Sequence, residues 1–110
     1  MGIELELHSA RPARKGPARD TFLRGSYEHG EALAAALSGL DRHGSGKLGW
    51  VDPYGDTLFN EQEAEVARQE AAALAEGCGD ARHKAALLDL AGLLDPCAAT
   101  PGSYVWFLGD

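Results

Sequence analysis

Long apolar runs are missing from this chain. No stretch approaches the ~20 residues that a bilayer-spanning helix needs, so a membrane segment is not expected. The first residues, Met1-Gly2-Ile3-Glu4-Leu5-Glu6, offer neither the basic nor the long apolar region of a secretory signal. Cysteine is scarce: Cys78 and Cys97 are the only two, and neither sits in a Cys-x-x-Cys or Cys/His ligand pattern. The helix expected between them would hold them roughly 20 Å or more apart, against the ~6 Å between Cα atoms that a disulfide tolerates. Unbridged thiols and the missing signal together imply a reducing cytoplasm. Catalytic signatures are missing too. There is no Gly-x-Ser-x-Gly elbow and no Gly-x-x-x-x-Gly-Lys-Ser/Thr loop, and His8, His29 and His43 show no metal spacing. No catalytic residue, metal site or cofactor is expected.

Basic residues are few: ten Lys and Arg against 17 Asp and Glu, a net charge of −7. A body so acidic repels phosphate backbones, which argues against a general nucleic-acid binder. The basic residues are also unevenly placed. Residues 11–24 carry Arg11, Arg14, Lys15, Arg19 and Arg24 against Asp20 alone, a local +4 that leaves −11 on the remainder. A nucleic-acid role for that segment would want interleaved stacking rings, and Phe22 is the only one it has.

With 110 residues, one domain with one core is the default. Ile3–His8 alternates strictly, with Ile3, Leu5 and Leu7 on one face and Glu4, Glu6 and His8 on a solvated one, so it reads as a strand. Residues 9–24 follow as a basic loop whose prolines and glycine deny it regular structure. A helix over 28–38 carries Leu33, Ala36 and Leu37, with Ser26 as its cap and Ser38-Gly39 as its stop. Residues 47–52 read as a second strand with Leu48 and Trp50 on one face. Asn60 and Glu63 form a capping box for a helix running to Glu76, with Phe59 as hydrophobic staple. Asp80 caps a third helix, which Asp95-Pro96 should end. The short Gly77-Cys78-Gly79 link makes these two an antiparallel hairpin. Ser103–Leu108 is apolar on both faces and so belongs centrally in a sheet. The expected fold is α+β: a small antiparallel or mixed three-stranded sheet, with one helix and a helix hairpin on one face. In its core, Leu87, Leu90, Leu94 and Leu5 are expected to gather around Trp106, with Trp50 nearby.

Four constellations invite chemistry. Asp41–Asp52 partly matches a calcium-binding EF-hand loop, but His43 and Asp52 replace two ligands, and Gly39 and Pro53 break the flanking helices. Gly44-Ser-Gly-Lys47 suggests phosphate binding, but a strand rather than a helix is expected after it. Cys78 and His83 pair a thiol with an imidazole, yet Asp80 already occupies the positive helix end that would activate the thiol. Asp52-Pro53-Tyr54-Gly55 has the type I turn signature, and with Asp56 it sets an aromatic ring between two carboxylates.

The stretch Asp-Pro-Tyr-Gly-Asp-Thr (52–57) and the ending Tyr-Val-Trp-Phe-Leu-Gly-Asp (104–110) resemble small, functionally uncharacterised bacterial proteins of high-GC genomes. That resemblance implies no activity. From the residues themselves, the expected function is a small acidic protein-binding domain of the antitoxin, immunity or inhibitor kind. It would meet a partner with a basic surface through Asp52, Tyr54, Asp56, Glu61 and Glu65. The alternative is a small enzyme or ligand-binding protein using the Asp52-Tyr54-Asp56 turn as acid, phenol and base.

Overall fold

The computed structural model describes residues 2–12, 21–40 and 46–109. It shows an α+β fold with four strands and three helices in the order β1 (Ile3–His8), β2 (Phe22–Ser26), α1 (Gly30–Leu37), β3 (Asp56–Asn60), α2 (Glu61–Glu76), α3 (Ala81–Ala99) and β4 (Tyr104–Gly109). The strands form one antiparallel sheet ordered β2-β1-β4-β3. β4 is indeed interior. The sheet has one strand more than expected, and one expected strand lies elsewhere.

The extra strand is β2, which begins inside the segment read as irregular and runs past its end to Ser26. Its first three residues are all exposed, so it carries no alternation to read, and pairing with β1 creates it. The displaced strand is 47–52. Leu48–Trp50 forms a 3₁₀ turn instead, closed by Trp50 N–H to the Lys47 carbonyl (3.0 Å) and Val51 N–H to the Leu48 carbonyl (3.2 Å). A period of three puts Leu48 and Val51 together in the core and turns Trp50 out, 50% exposed. The strand forms later, at Asp56–Asn60.

α2 has the limits read from its capping box: Asn60 Oδ1 accepts the Glu63 N–H (2.9 Å), and Glu63 Oε1 accepts the Asn60 N–H (3.1 Å). Asp80 caps α3 by accepting the Arg82 and His83 N–H groups (2.8 and 3.2 Å). Those two bonds, His83's first, hold the Asp80 carboxyl below its usual range. α3 does not stop at Pro96 but continues to Ala99, because buried Leu93, Leu94 and Cys97 hold its last turns against the core. At α1, His29 rather than Ser26 precedes the helix; Ser26 ends β2, and its hydroxyl donates to Asp89 of α3.

One face of the sheet packs on the helices. Ile3, Leu5, Leu7, Phe59, Val105 and Phe107 point there, joined by Leu33 and Leu37 of α1, an alanine stripe on α2 (Ala64, Ala67, Ala71, Ala75), and Leu87, Leu90, Leu93 and Leu94 of α3. The alanines let α2 lie close to α3, and Phe59 meets Phe107 edge to face at 5.0 Å. The leucines therefore surround Phe107 and Val105, not Trp106. The period of two sends Trp106 to the opposite face, and Trp50 is outside the core altogether. Both cysteines are free, and burial pushes the Cys97 thiol up. No helix among the described residues is long and apolar enough to cross a membrane.

Candidate functional site

The Asp52–Asp56 segment is pinned at several points. Upstream, Glu70 Oε1 accepts the N–H groups of Lys47 (2.6 Å) and Leu48 (3.2 Å). Gly44 and Ser45 of the stretch that suggested phosphate binding lie outside the described residues, and the Lys47 and Leu48 N–H groups already have their anion in Glu70 of α2. Asp52 folds its carboxylate into its own turn: Oδ1 accepts the Tyr54 N–H at 2.9 Å. Its N–H donates to Thr57 Oγ1 at 3.0 Å. Gly55 leaves room for that carboxylate: a Cβ there would lie 2.7 Å from Asp52 Oδ2 and displace it. The Gly55 carbonyl then accepts the Gly109 N–H (2.7 Å), tying the turn to the end of β4.

These bonds give the two carboxylates different positions. Asp52 is spent inside the turn, while Asp56 opens β3, exposed, opposite Leu108. Tyr54 projects from the stiffened turn with 67% of its surface open, four residues from exposed Trp50. Of the α2 acids, Glu65 is engaged along its own helix with Arg68 (2.7 and 3.1 Å) and Gln69 (3.0 Å), and the Arg68 bonds draw its carboxyl below the usual range. Glu61 starts the helix, partly exposed, directly after β3. The five residues thus fall into an aromatic turn with Asp56 beside it, and a helix start where Glu65 is already paired.

The other constellations do not assemble. Cys78 Sγ donates to the Asp80 carbonyl (3.3 Å), whereas His83 faces the Asp80 carboxylate (3.9 Å), so thiol and imidazole are separately engaged. The ligand positions 41–45 of the EF-like loop lie outside the described residues, and among those described no group of three potential metal ligands occurs.

Sequence reasoning missed the face of the sheet that none of the described helices covers. Pairing places three rows there: Glu4, Leu108 and Asp56; Gly25, Glu6, Trp106 and Leu58; Phe22, His8, Tyr104 and Asn60. His8, expected to be solvated, is fully buried. Its Nδ1 lies 2.8 Å from Thr21 Oγ1 and its Nε2 lies 2.9 Å from Glu6 Oε1, while Phe22 and Trp106 flank the ring. Tyr27 Oη donates to Glu6 Oε2 at 2.8 Å, its ring lying over Gly25. Thr21, His8 and Glu6 follow the order of a hydroxyl–imidazole–carboxylate relay. However, both ring nitrogens are occupied and the imidazole has no open edge, so the network braces the sheet. The visible signal was Glu6 and His8 at i, i+2 on one strand. Arg11 lies over the Tyr104 ring, 5.9 Å from its centroid, and Pro12 is buried. The basic loop is therefore anchored at its start; residues 13–20 lie outside the described residues.

A cleft of about 930 Å³ opens at the end of this face, between the start of β1, the end of β4, Tyr27–His29 and the first turns of α1 and α3. Glu4, Glu28 and Glu31 line it with Tyr27, and Arg82 is its one guanidinium among the described residues. Compared with protein-family models, curated proteins and solved structures, the chain matches none, so its own geometry carries the functional reading.

Proposed function

We propose that this chain is a small acidic protein-binding domain of the antitoxin, immunity or inhibitor kind, meeting a partner with a basic surface. The observation that carries the reading is the stapled turn: Trp50 and Tyr54, 50% and 67% exposed, on a segment fixed by Glu70, Asp52 and Thr57. Exposed Trp and Tyr on a pre-formed loop are the side chains that dominate binding energy, because they bury large areas while losing little conformational freedom. Asp56 beside them supplies charge for a basic partner, and the −7 net charge steers the encounter. Glu61 borders this surface, while Glu65, held by Arg68, adds charge at its margin.

The test uses two baits, the intact domain and its Trp50→Ala/Tyr54→Ala variant, presented to lysate of the native host. A partner of the proposed kind is retained by the first, lost from the second and released by salt. Identical retention on both baits refutes the reading.

A further inference from the structure

We propose that the cleft between the first turns of α1 and α3, with the row Glu4–Leu108–Asp56 that leads into it, is the docking surface for a basic segment of a protein partner. An arginine or lysine side chain of that segment enters between Tyr27 and the carboxylates of Glu4, Glu28 and Glu31. This inference rests on the basic protein partner proposed above and adds where its cation is seated.

Several carboxylates among the described residues are committed elsewhere. Glu6 holds His8 and Tyr27, Glu63 closes the capping box, Glu65 holds Arg68, Glu70 holds the 3₁₀ turn, and Asp80 and Asp89 bond Arg82/His83 and Ser26. Glu4, Glu28 and Glu31 make no hydrogen bond or ion pair with any described residue, and they converge on one concavity. The three carboxylates outnumber Arg82, the one guanidinium among the described residues of the cleft, so the potential there stays negative, and its sign admits a cation and repels phosphate.

The cleft also has an aromatic wall. Tyr27 is held by its bond to Glu6 and fits over β2 only because Gly25 lacks a side chain, whose Cβ would lie 2.5 Å from Tyr27 Oη. A fixed, half-exposed ring beside carboxylates is a receptor for ammonium or guanidinium groups. The same sheet face already carries one such contact, Arg11 over Tyr104. Leu108, Ala32 and Ala85 supply apolar lining for the methylenes of a long basic side chain. Asp56, across Leu108 from Glu4, joins this surface to the Trp50–Tyr54 turn, so one partner can span both.

Calorimetry of the full chain with an octa-arginine peptide at low salt tests the proposal. Glu4→Gln/Glu28→Gln/Glu31→Gln should weaken binding by about tenfold or more. Glu63→Gln/Glu76→Gln/Asp95→Asn, which removes the same charge from α2 and α3 outside both surfaces and keeps a capping-box residue after Asn60, should weaken it by less than about twofold. Ala85→Lys keeps every carboxylate and a good helix former, and places a resident cation in the cleft, so it should weaken binding as the first triple does even if that triple melts early. Equal weakening by both triples, an unaffected Ala85→Lys variant, or no binding to the wild-type chain overturns the proposal. The Trp50→Ala/Tyr54→Ala variant separates the two readings. Peptide binding lost there but kept in the cleft variants leaves the turn standing and removes the cleft; the reverse removes the turn and leaves the cleft.

Discussion

The two faces of this sheet are built from the same strands by opposite rules. Toward the helices every β1 and β4 side chain of the row Ile3, Leu5, Leu7, Val105 and Phe107 is apolar and buried. Away from them Glu4, Glu6 and His8 alternate with Tyr104, Trp106 and Leu108, and polar groups decide the packing. The first face gains its stability from area removed from water, which is non-directional and tolerates no missing volume. The second depends on directional bonds, Thr21 to His8 to Glu6 to Tyr27, which hold an aromatic and acidic surface in one arrangement. Stability is concentrated on one side of a layer a single residue thick, and recognition groups on the other.

The comparison breaks most visibly at Phe107. Phe107→Ala should cost about 3–5 kcal/mol in urea unfolding, because it empties the centre of the helix-facing layer. A loss below about 1 kcal/mol would mean that the core does not close around this ring. His8→Ala on the other face should cost less, about 1–3 kcal/mol, since it removes the imidazole that bridges Thr21 and Glu6 and leaves one Glu6 oxygen without its donor. It should also loosen Tyr27, read as a gain in the mobility of that ring by NMR. A cost matching that of Phe107→Ala would place His8 in the principal core. Smallest of all is Trp106→Phe. The indole Nε1 is buried without a hydrogen-bond partner among the described residues, so removing it relieves an unsatisfied donor while most of the ring area stays. The expected change is within about 1 kcal/mol of zero by the same unfolding measurement. A loss well beyond that would reveal a partner for the indole N–H.

Legibility in the sequence followed the range of the deciding interaction. α2 could be bounded to the residue because Asn60 and Glu63 bond each other's backbone three positions apart. Asp80 was equally local, and it identified the start of α3. Leu48 and Trp50 were misread because period two and period three share the pattern apolar–Gly–apolar over so short a span. The bond that selects the 3₁₀ turn comes from Glu70, more than twenty residues away. The candidate site divided likewise. The Asp52–Gly55 turn was readable from its own residues, whereas the cleft draws on residues 2 to 109 and has no local signature.

By itself the sequence determined the acidic balance, the apolar face of β1, both faces of β4, the caps of α2 and α3 and the Asp-Pro-Tyr-Gly turn. Each depends on contacts within a few residues or on a periodicity that every residue in the element repeats. Only the tertiary structure decided that β2 exists and that α3 passes through Pro96, since pairing and packing from distant elements outweighed local preference there. It alone buried His8, exposed Trp50 and gathered Glu4, Glu28, Glu31 and Tyr27 around one cleft. The physical reason is that burial and convergence belong to the space between elements, and that space is defined only once the strands have chosen their neighbours.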